Sequence, residues 1–362
     1  MRFFLLIMMI IIWSCKSPVE PVGINITDEW HFETVDACRG IDASNGVLVA
    51  AASSNGYYRF DIVENNGSVD TLNLVYHNPD INPQVGDDAA YDVIISNNIS
   101  DMAFILDDVD NIIVDFFEGG METLSGCGNS LLYRSLTLND DIADTTILFT
   151  LQKHFDVVPD NFDLYSTSVG VREFYTENVF GNEFFTETGC DAVLNPNIEA
   201  MKVFYADNLL SITNGGMGVQ VWRYNHNPEL DTDLLEDLTT FYVQGGEAES
   251  IYSKGNYVIG GFDNDRGCYM ALLDSDGSEI SNLTFADGYS ISAIGYDNES
   301  GLLALGAGND GILIYDWNGE GFISLRGILD VGDNNYVFDV EVMGSSIYVG
   351  SENGITIYKI EG

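Results

Sequence analysis

One short phrase returns along this chain. It reads "SSNGYYRFD" at residues 53–61, "GNDGILIYD" at 308–316 and "SENGITIYK" at 351–359. An Asn-Gly or Asp-Gly pair feeding an apolar run is a strong short-range signal for a β-hairpin. Aligned on its glycine, the phrase also fits at Gly170, Gly218 and Gly267, besides Gly56, Gly311 and Gly354. "DNIIVD" (110–115) takes the same slot with Asp110 in place of glycine. Asp tolerates the left-handed turn conformation better than most residues. That makes seven units, at a mean spacing of about 50 residues, the period of propeller blades.

Each unit repeats the same events. A first apolar stretch, such as "CRGIDAS" (38–44), "YDVIIS" (91–96), "MKVFYA" (201–206), "SISAIGY" (290–296) or "VFDVEVM" (337–343), is followed by a tight turn. A second strand, the Asn/Asp-Gly turn and a third strand come next, then a more polar fourth strand. In "ILIYD", Ile312 and Ile314 point one way and Leu313 and Tyr315 the other, so both faces are apolar. Two apolar faces need a neighbour on each side, which a ring of blades supplies. The last unit ends only three strands in, at Ile360. "EWHFETV" (29–35) precedes the first unit as a spare strand. We expect an all-β, seven-bladed propeller over residues 27–362, its last blade completed by this N-terminal strand so that no edge is exposed. Residues 121–190 are long enough to hold part of an eighth blade.

Composition agrees with short strands and tight turns: 37 Gly, 7 Pro and 12% aromatic residues. It also excludes a class of partner. With 13 Lys+Arg against 57 Asp+Glu, the net charge of −44 repels phosphate backbones, so nucleic acid is no ligand. The acidity suits a solubilising surface in salty surroundings, the alternative being recruitment of cations or a basic partner.

The first residues read as an address. "MRFFLLIMMIIIWSC" has basic Arg2, then eleven apolar residues from Phe3 to Trp13, then Ser14 and Cys15. Eleven residues are too few to span a bilayer but suit a secretory signal. A cysteine at the cut resembles the bacterial lipoprotein lipobox, here Ile12-Trp13-Ser14-Cys15. The resemblance implies a signal peptide over 1–14 and a lipidated Cys15 as the mature N-terminus. Lys16 in place of Asp resembles lipoproteins sent to the outer membrane. Residues 15–26 read as a tether, kept extended by its prolines.

"CRGIDASNGVLVAAASSNGYYRFDI" (38–62) resembles the LVIVP-repeat family of bacterial β-propellers. So does "GVQVWRYNHNPELDTDLLEDLTTFYVQGGEAESIYSKGNYVIGG" (218–261), with its Asn-Pro after the third strand. The resemblance is clear in units one, four, six and seven and poor in two and three. It implies a seven- or eight-bladed extracytoplasmic propeller and supplies no catalytic residues.

Signals of chemistry are sparse. His31, His77, His154 and His226 lie far apart without ligand spacing. There is no G-x-S-x-G and no sequence-local pairing of a nucleophile with histidine. Beyond Cys15 there are Cys38, Cys127, Cys190 and Cys268. In an oxidising compartment an even count suggests two disulfides, the alternative being free buried thiols. Cys38, Cys127 and Cys190 are placed at or before a first strand and Cys268 just after the turn between second and third strands, so all four are expected near one face. Cys127–Cys190 could staple the irregular segment, although four cysteines allow three connectivities. Acidic loops gather on that face too: Asp87 and Asp88, then Asp107, Asp108 and Asp110, then Asp263 and Asp265, then Asp310, then Glu352. Asp107, Asp108, Asp110, Asp263, Asp265 and Asp310 are candidate oxygen ligands for Ca²⁺, while Asp also favours turns for its own reasons. "DSDGSE" (274–279) is too short for a calcium loop.

Together these readings give an expected function. It is an outer-membrane lipoprotein, facing the periplasm or the cell surface and held through Cys15. Its propeller would be a non-catalytic platform for a protein or carbohydrate ligand at the loop-bearing face. The alternative is a calcium-dependent propeller hydrolase or lyase acting on a lactone, ester or polysaccharide, which needs inward-facing acids converging on one metal.

Overall fold

A computed structural model describes residues 24 and 26–361, apart from 66–69, 82–88, 97–101, 108–110, 118–119, 126–129, 141–144, 158–162, 180–181, 196–199 and 228–231. Several strand residues of blades three and four are described by backbone alone. The signal segment, Cys15 and all of the tether except Ile24 and Ile26 lie outside the described residues, and Ile26 already belongs to the closing strand. So do Asp87, Asp88, Asp108, Asp110 and Cys127.

The described residues form seven four-stranded antiparallel sheets. In the first six, four consecutive strands pair in chain order. Blade one, for example, is Gly40–Ser44, Val47–Ala51, Tyr57–Val63 and Thr71–Asn78. Blade seven takes only three strands from the C-terminus, Val337–Met343, Ser346–Ser351 and Gly354–Ile360. Its fourth is the N-terminal strand Ile26–Phe32, which pairs antiparallel with Gly354–Ile360 from Ile26 opposite Ile360 to Phe32 opposite Ile355. The predicted closure is therefore present. The strand begins and ends about three residues earlier than its sequence signal suggests.

The reason for the ring is visible in the core. Among the described residues the apolar side chains form seven clusters, and each combines residues of two adjacent blades. Ile312 and Ile314 lie with Val337, Val340 and Ile347 of blade seven, whereas Leu313 and Tyr315 lie with Ile259 and Met270 of blade five. One strand thus buries alternate side chains in two different interfaces. Each such side chain contributes about 1.5–3 kcal/mol on burial, and none could be covered by its own blade. The N-terminal strand joins in: Phe32 sits edge-on to Phe60 and Tyr58 of blade one, at 5.0 and 5.7 Å.

The recurring glycine has two jobs. Gly311 adopts φ +86°, and a Cβ there would stand 2.3 Å from the Leu329 carbonyl oxygen at the end of the fourth strand. Gly354 has φ +113°, and its virtual Cβ would meet the Phe32 carbonyl at 2.4 Å. Left-handed backbone and close approach to the outer strand both exclude a side chain. Gly56, Gly218 and Gly267 repeat the arrangement.

Blade three departs from the sequence alignment. Gly170 is not at a turn: it lies inside the third strand, Asp163–Val179, opposite Thr150 and Ala192. The strands Thr145–Val157, Asp163–Val179 and Asn182–Asn195 are 13, 17 and 14 residues long. The described residues of the 121–190 segment therefore build the outer strand of blade two and most of blade three, not an eighth blade. Cys190 is likewise on the outermost strand of its blade, opposite Arg172, instead of near a first strand.

Candidate functional site at the mouth of the central channel

The first strand of every blade faces the ring axis. These strands are Gly40–Ser44, Ala90–Ser96, Ser130–Asn139, Ala200–Ala206, Ala248–Lys254, Ala293–Asp297 and Val337–Met343. Inner strands of neighbouring blades do not form a continuous sheet, so their inward backbone groups need other partners. Side chains supply them. Asp339 accepts the Ile41 N–H at 3.0 Å, Asp42 the Ile95 N–H at 2.6 Å, and Asp92 the Leu136 N–H at 3.3 Å. Thr137 accepts the Tyr205 N–H at 3.2 Å. Ser250 and Ser292 donate to the carbonyls of Ile291 and Val337, at 2.9 and 2.8 Å. Each bond runs from one blade to the next, forming a polar girdle around the channel.

The girdle concentrates charge. A cavity of about 110 Å³ on the axis touches residues of all seven blades, including Asp42, Asp92, Asp339, Glu341 and Lys202. Lys202 Nζ reaches Asp92 at 3.5 Å. Burial pushes the Asp42 carboxyl up to about 7 and that of Asp339 to about 6, and it raises Glu341 well above its ordinary value. The mutual repulsion of these acids adds to the shift. Burial opposes the charge of Lys202, but Asp92 and Asp339 outweigh it and hold the ammonium above the usual lysine range.

Nearer the loop-bearing face the channel widens into a second hollow of about 220 Å³, lined by Arg39, Tyr91, Met201, Lys202, Glu249, Ser292, Tyr336 and Phe338. These residues come from six of the seven blades, mostly from just before or at the start of an inner strand. The Arg39 guanidinium lies 5.0 Å from the centroid of the Phe338 ring and 5.8 Å from that of Tyr91. Tyr336 packs on Phe338 at 4.8 Å. Arg39 Nε donates to Ser53 at 3.3 Å, and among the described residues the guanidinium has no carboxylate partner. Glu249 has no ion-pair partner either. Burial, then Asp263 and Glu247, raise its pKa.

The residues singled out from sequence fare differently. Asp107 is buried, and its carboxylate accepts the backbone and side-chain N–H groups of Asn111, both at 2.8 Å. Asp263 accepts the Glu247 N–H at 2.6 Å and Asn264 at 2.8 Å. Asp265 accepts from Ser290 at 3.4 Å. Asp310 closes the tight turn, its N–H donating to Ala307. These are turn roles. Among the described residues no group of three or more His, Cys, Asp or Glu side chains is placed to hold a metal ion. Cys38 and Cys268 are free and buried in separate interfaces, so the expected pair of disulfides does not form through them. The Cys127–Cys190 pairing lies outside the described side chains. His31 contacts Thr356 at 2.9 Å and His77 stacks on Tyr58 at 4.0 Å, which gives both local packing roles.

The channel residues were not named from sequence, yet a signal for three of them exists. Asp42, Asp92 and Asp339 recur in the first apolar stretch as "GID", "YDV" and "FDV". An acid repeated inside an otherwise apolar strand marks a position that faces something other than core.

No protein-family model matches the chain, and no curated protein matches it in sequence. Solved structures do match its shape. The WD40 repeats of RRP9 superpose with a TM-score of 0.65 at 13% identity, over 94% of this chain and 100% of that one. U3-55K gives 0.65 at 13% identity, over 93% and 100%. A chain of the mitotic checkpoint complex gives 0.62 at 10% identity, over 96% and 95%. At these identities the likeness concerns the fold: the chain is a seven-bladed β-propeller of WD40-like shape.

Proposed function

We propose that this protein is a cell-envelope lipoprotein whose propeller is a non-catalytic binding platform, engaging its ligand at the loop-side mouth of the channel. One observation carries the reading. The 220 Å³ hollow gathers aromatic rings and an unpaired guanidinium from separate blades at the concave end of the ring. Concave sites with an apolar lining and a few convergent polar groups are where ligands bind. The neighbour from the mitotic checkpoint complex shows that a chain of this shape can serve inside a protein assembly. The resemblance to LVIVP-repeat propellers and the Ile12–Cys15 lipobox support the envelope address, with the outer membrane favoured by Lys16.

The platform is tested by panning the purified propeller against peptide and glycan arrays, with Phe338→Ala as control. Hits lost in the variant, at an unchanged melting temperature, support the mouth as the site. Hits retained in full, or no hit, overturn it. For the address, labelled palmitate should enter the wild-type chain in cells and not Cys15→Ala. Equal labelling of the two would refute lipidation at Cys15.

A further inference from the structure

The mouth holds two opposite charges that do not neutralise each other. Arg39 enters from the segment before the first strand of blade one, and Glu249 from the first strand of blade five. Both line the same hollow. Neither makes an ion pair, with the other or with any described residue, in a chain where acids outnumber basic residues more than fourfold. Each is only partly buried. Arg39 is held by the Phe338 and Tyr91 rings and by Ser53, which leaves its terminal nitrogens free to donate. Burial raises the Tyr336 pKa, and the charge of nearby Glu249 adds to the shift.

This pairing restricts the ligand. A simple anion attracted by Arg39 would meet Glu249, with Asp263 and Glu247 behind it, in a protein of charge −44. A simple cation attracted by Glu249 would meet Arg39 and the Lys202 ammonium. A purely apolar molecule would strip water from both charges without replacing it, which is costly. A molecule carrying both charges satisfies both residues. The rings of Tyr91, Tyr336 and Phe338 and the exposed Met201 thioether supply an apolar bed for the remainder. A guanidinium also meets a carboxylate with two parallel hydrogen bonds, a geometry an ammonium cannot match.

We propose that the channel mouth binds a small zwitterion of the α-amino-acid or short-peptide class, its carboxylate on Arg39, its ammonium on Glu249 and an apolar side group against Tyr91 and Phe338. This assignment rests on the mouth being the binding site and adds the chemistry of the ligand. The volume of about 220 Å³ limits the occupant to roughly one or two residues.

The test is calorimetric titration of the propeller at pH 7.5 with L-phenylalanine, phenylalanyl-phenylalanine, phenylalaninamide and N-acetylphenylalanine. The amino acid or the dipeptide should bind saturably, and comparing the two identifies which span the site accepts. Blocking either charge should weaken binding at least about tenfold. Arg39→Gln should erase the preference for a free carboxylate, with phenylalaninamide then binding as well as phenylalanine. Glu249→Gln should erase the preference for a free ammonium, with N-acetylphenylalanine catching up. A merely structural role would weaken all four probes alike. Equal binding of blocked and unblocked probes, still abolished by Phe338→Ala, would overturn the zwitterion assignment while leaving the platform intact. Absence of saturable binding by either zwitterion would also overturn it. The array experiment then decides separately whether the mouth binds anything.

Discussion

Arg59 and Asp115 show how a single residue is committed by the ring. They meet at 2.8 Å between the third strands of blades one and two, both largely shielded from water. Tyr57 donates to the same carboxylate at 3.0 Å. The guanidinium also donates to the Phe117 carbonyl at 3.2 Å and lies 4.3 Å from the centroid of the Phe117 ring. Burial still raises the Asp115 pKa, against the pull of Arg59. Arg59→Leu strands a buried carboxylate and should cost about 3–5 kcal/mol in urea unfolding. Replacing Asp115 by Leu as well should restore most of that loss, since an apolar pair of similar volume is often neutral there. A loss below about 1 kcal/mol for the single variant would mean that water reaches the pair. From sequence, Arg59 stands out as a cation inside "YYRF". Its partner, 56 residues on, is identifiable only once two blades lie side by side.

At the scale of the element, the third-strand glycine and the closing strand carry the architecture. Gly46 and Gly311 share a left-handed backbone, φ +80° and +86°, but only Gly311 faces a neighbour where a Cβ would be. Gly46→Ala should cost about 1–2 kcal/mol, the strain of the conformation alone. Gly311→Ala should cost at least twice as much, because the outer strand must move as well. Equal losses in parallel melts would show that the Leu329 carbonyl gives way freely. Deleting residues 26–32 should leave the outer edge of Gly354–Ile360 unpaired, with Tyr58 and Phe60 losing their contact with Phe32. Such an edge invites pairing with another chain. Light scattering should therefore report dimers or larger species, or the melt should show loss of cooperative unfolding. A monomer with an unchanged melt would contradict the closure.

The whole molecule inherits a pH dependence from its axis. Asp42, Asp339 and Glu341 face one another, Asp92, Lys202 and Tyr91 across the channel, and the first three keep their protons to higher pH when folded than when unfolded. Between pH 4 and 7 the folded state therefore binds more protons than the unfolded chain, and stability falls as pH rises. Asp42 alone, raised to about 7, contributes on the order of 4 kcal/mol to that decline. Asp36 and Asp297, whose pKa values are lowered, work the other way and lose their contribution only as pH falls below about 4. Stability should thus peak near pH 4–5 and decline toward pH 8. Repulsion among surface acids gives the same sign, but 1 M salt screens it to about 3 Å. The decline should persist in 1 M NaCl and flatten in Asp42→Asn, which keeps an acceptor for the Ile95 N–H. A slope that vanishes in salt would assign the effect to the surface instead.

By itself the sequence determined the propeller architecture and its closure, while the choice of seven blades over eight came from the sheet topology. Strand alternation and turn glycines are local, and the repeat displays them again and again, with the same glycine geometry at Gly56, Gly218, Gly267, Gly311 and Gly354. It failed in blade three, where Gly170 mimics the motif inside a longer strand, because a glycine's identity does not reveal which turn it serves. Only the tertiary structure decided the channel. Asp42, Asp92, Asp339 and Lys202 are up to 297 residues apart, and Arg39 and Glu249 belong to blades one and five, which are not neighbours in the ring. Their encounter depends on the curvature of the ring, which arises from side-chain volume at seven interfaces and is not written in any one segment.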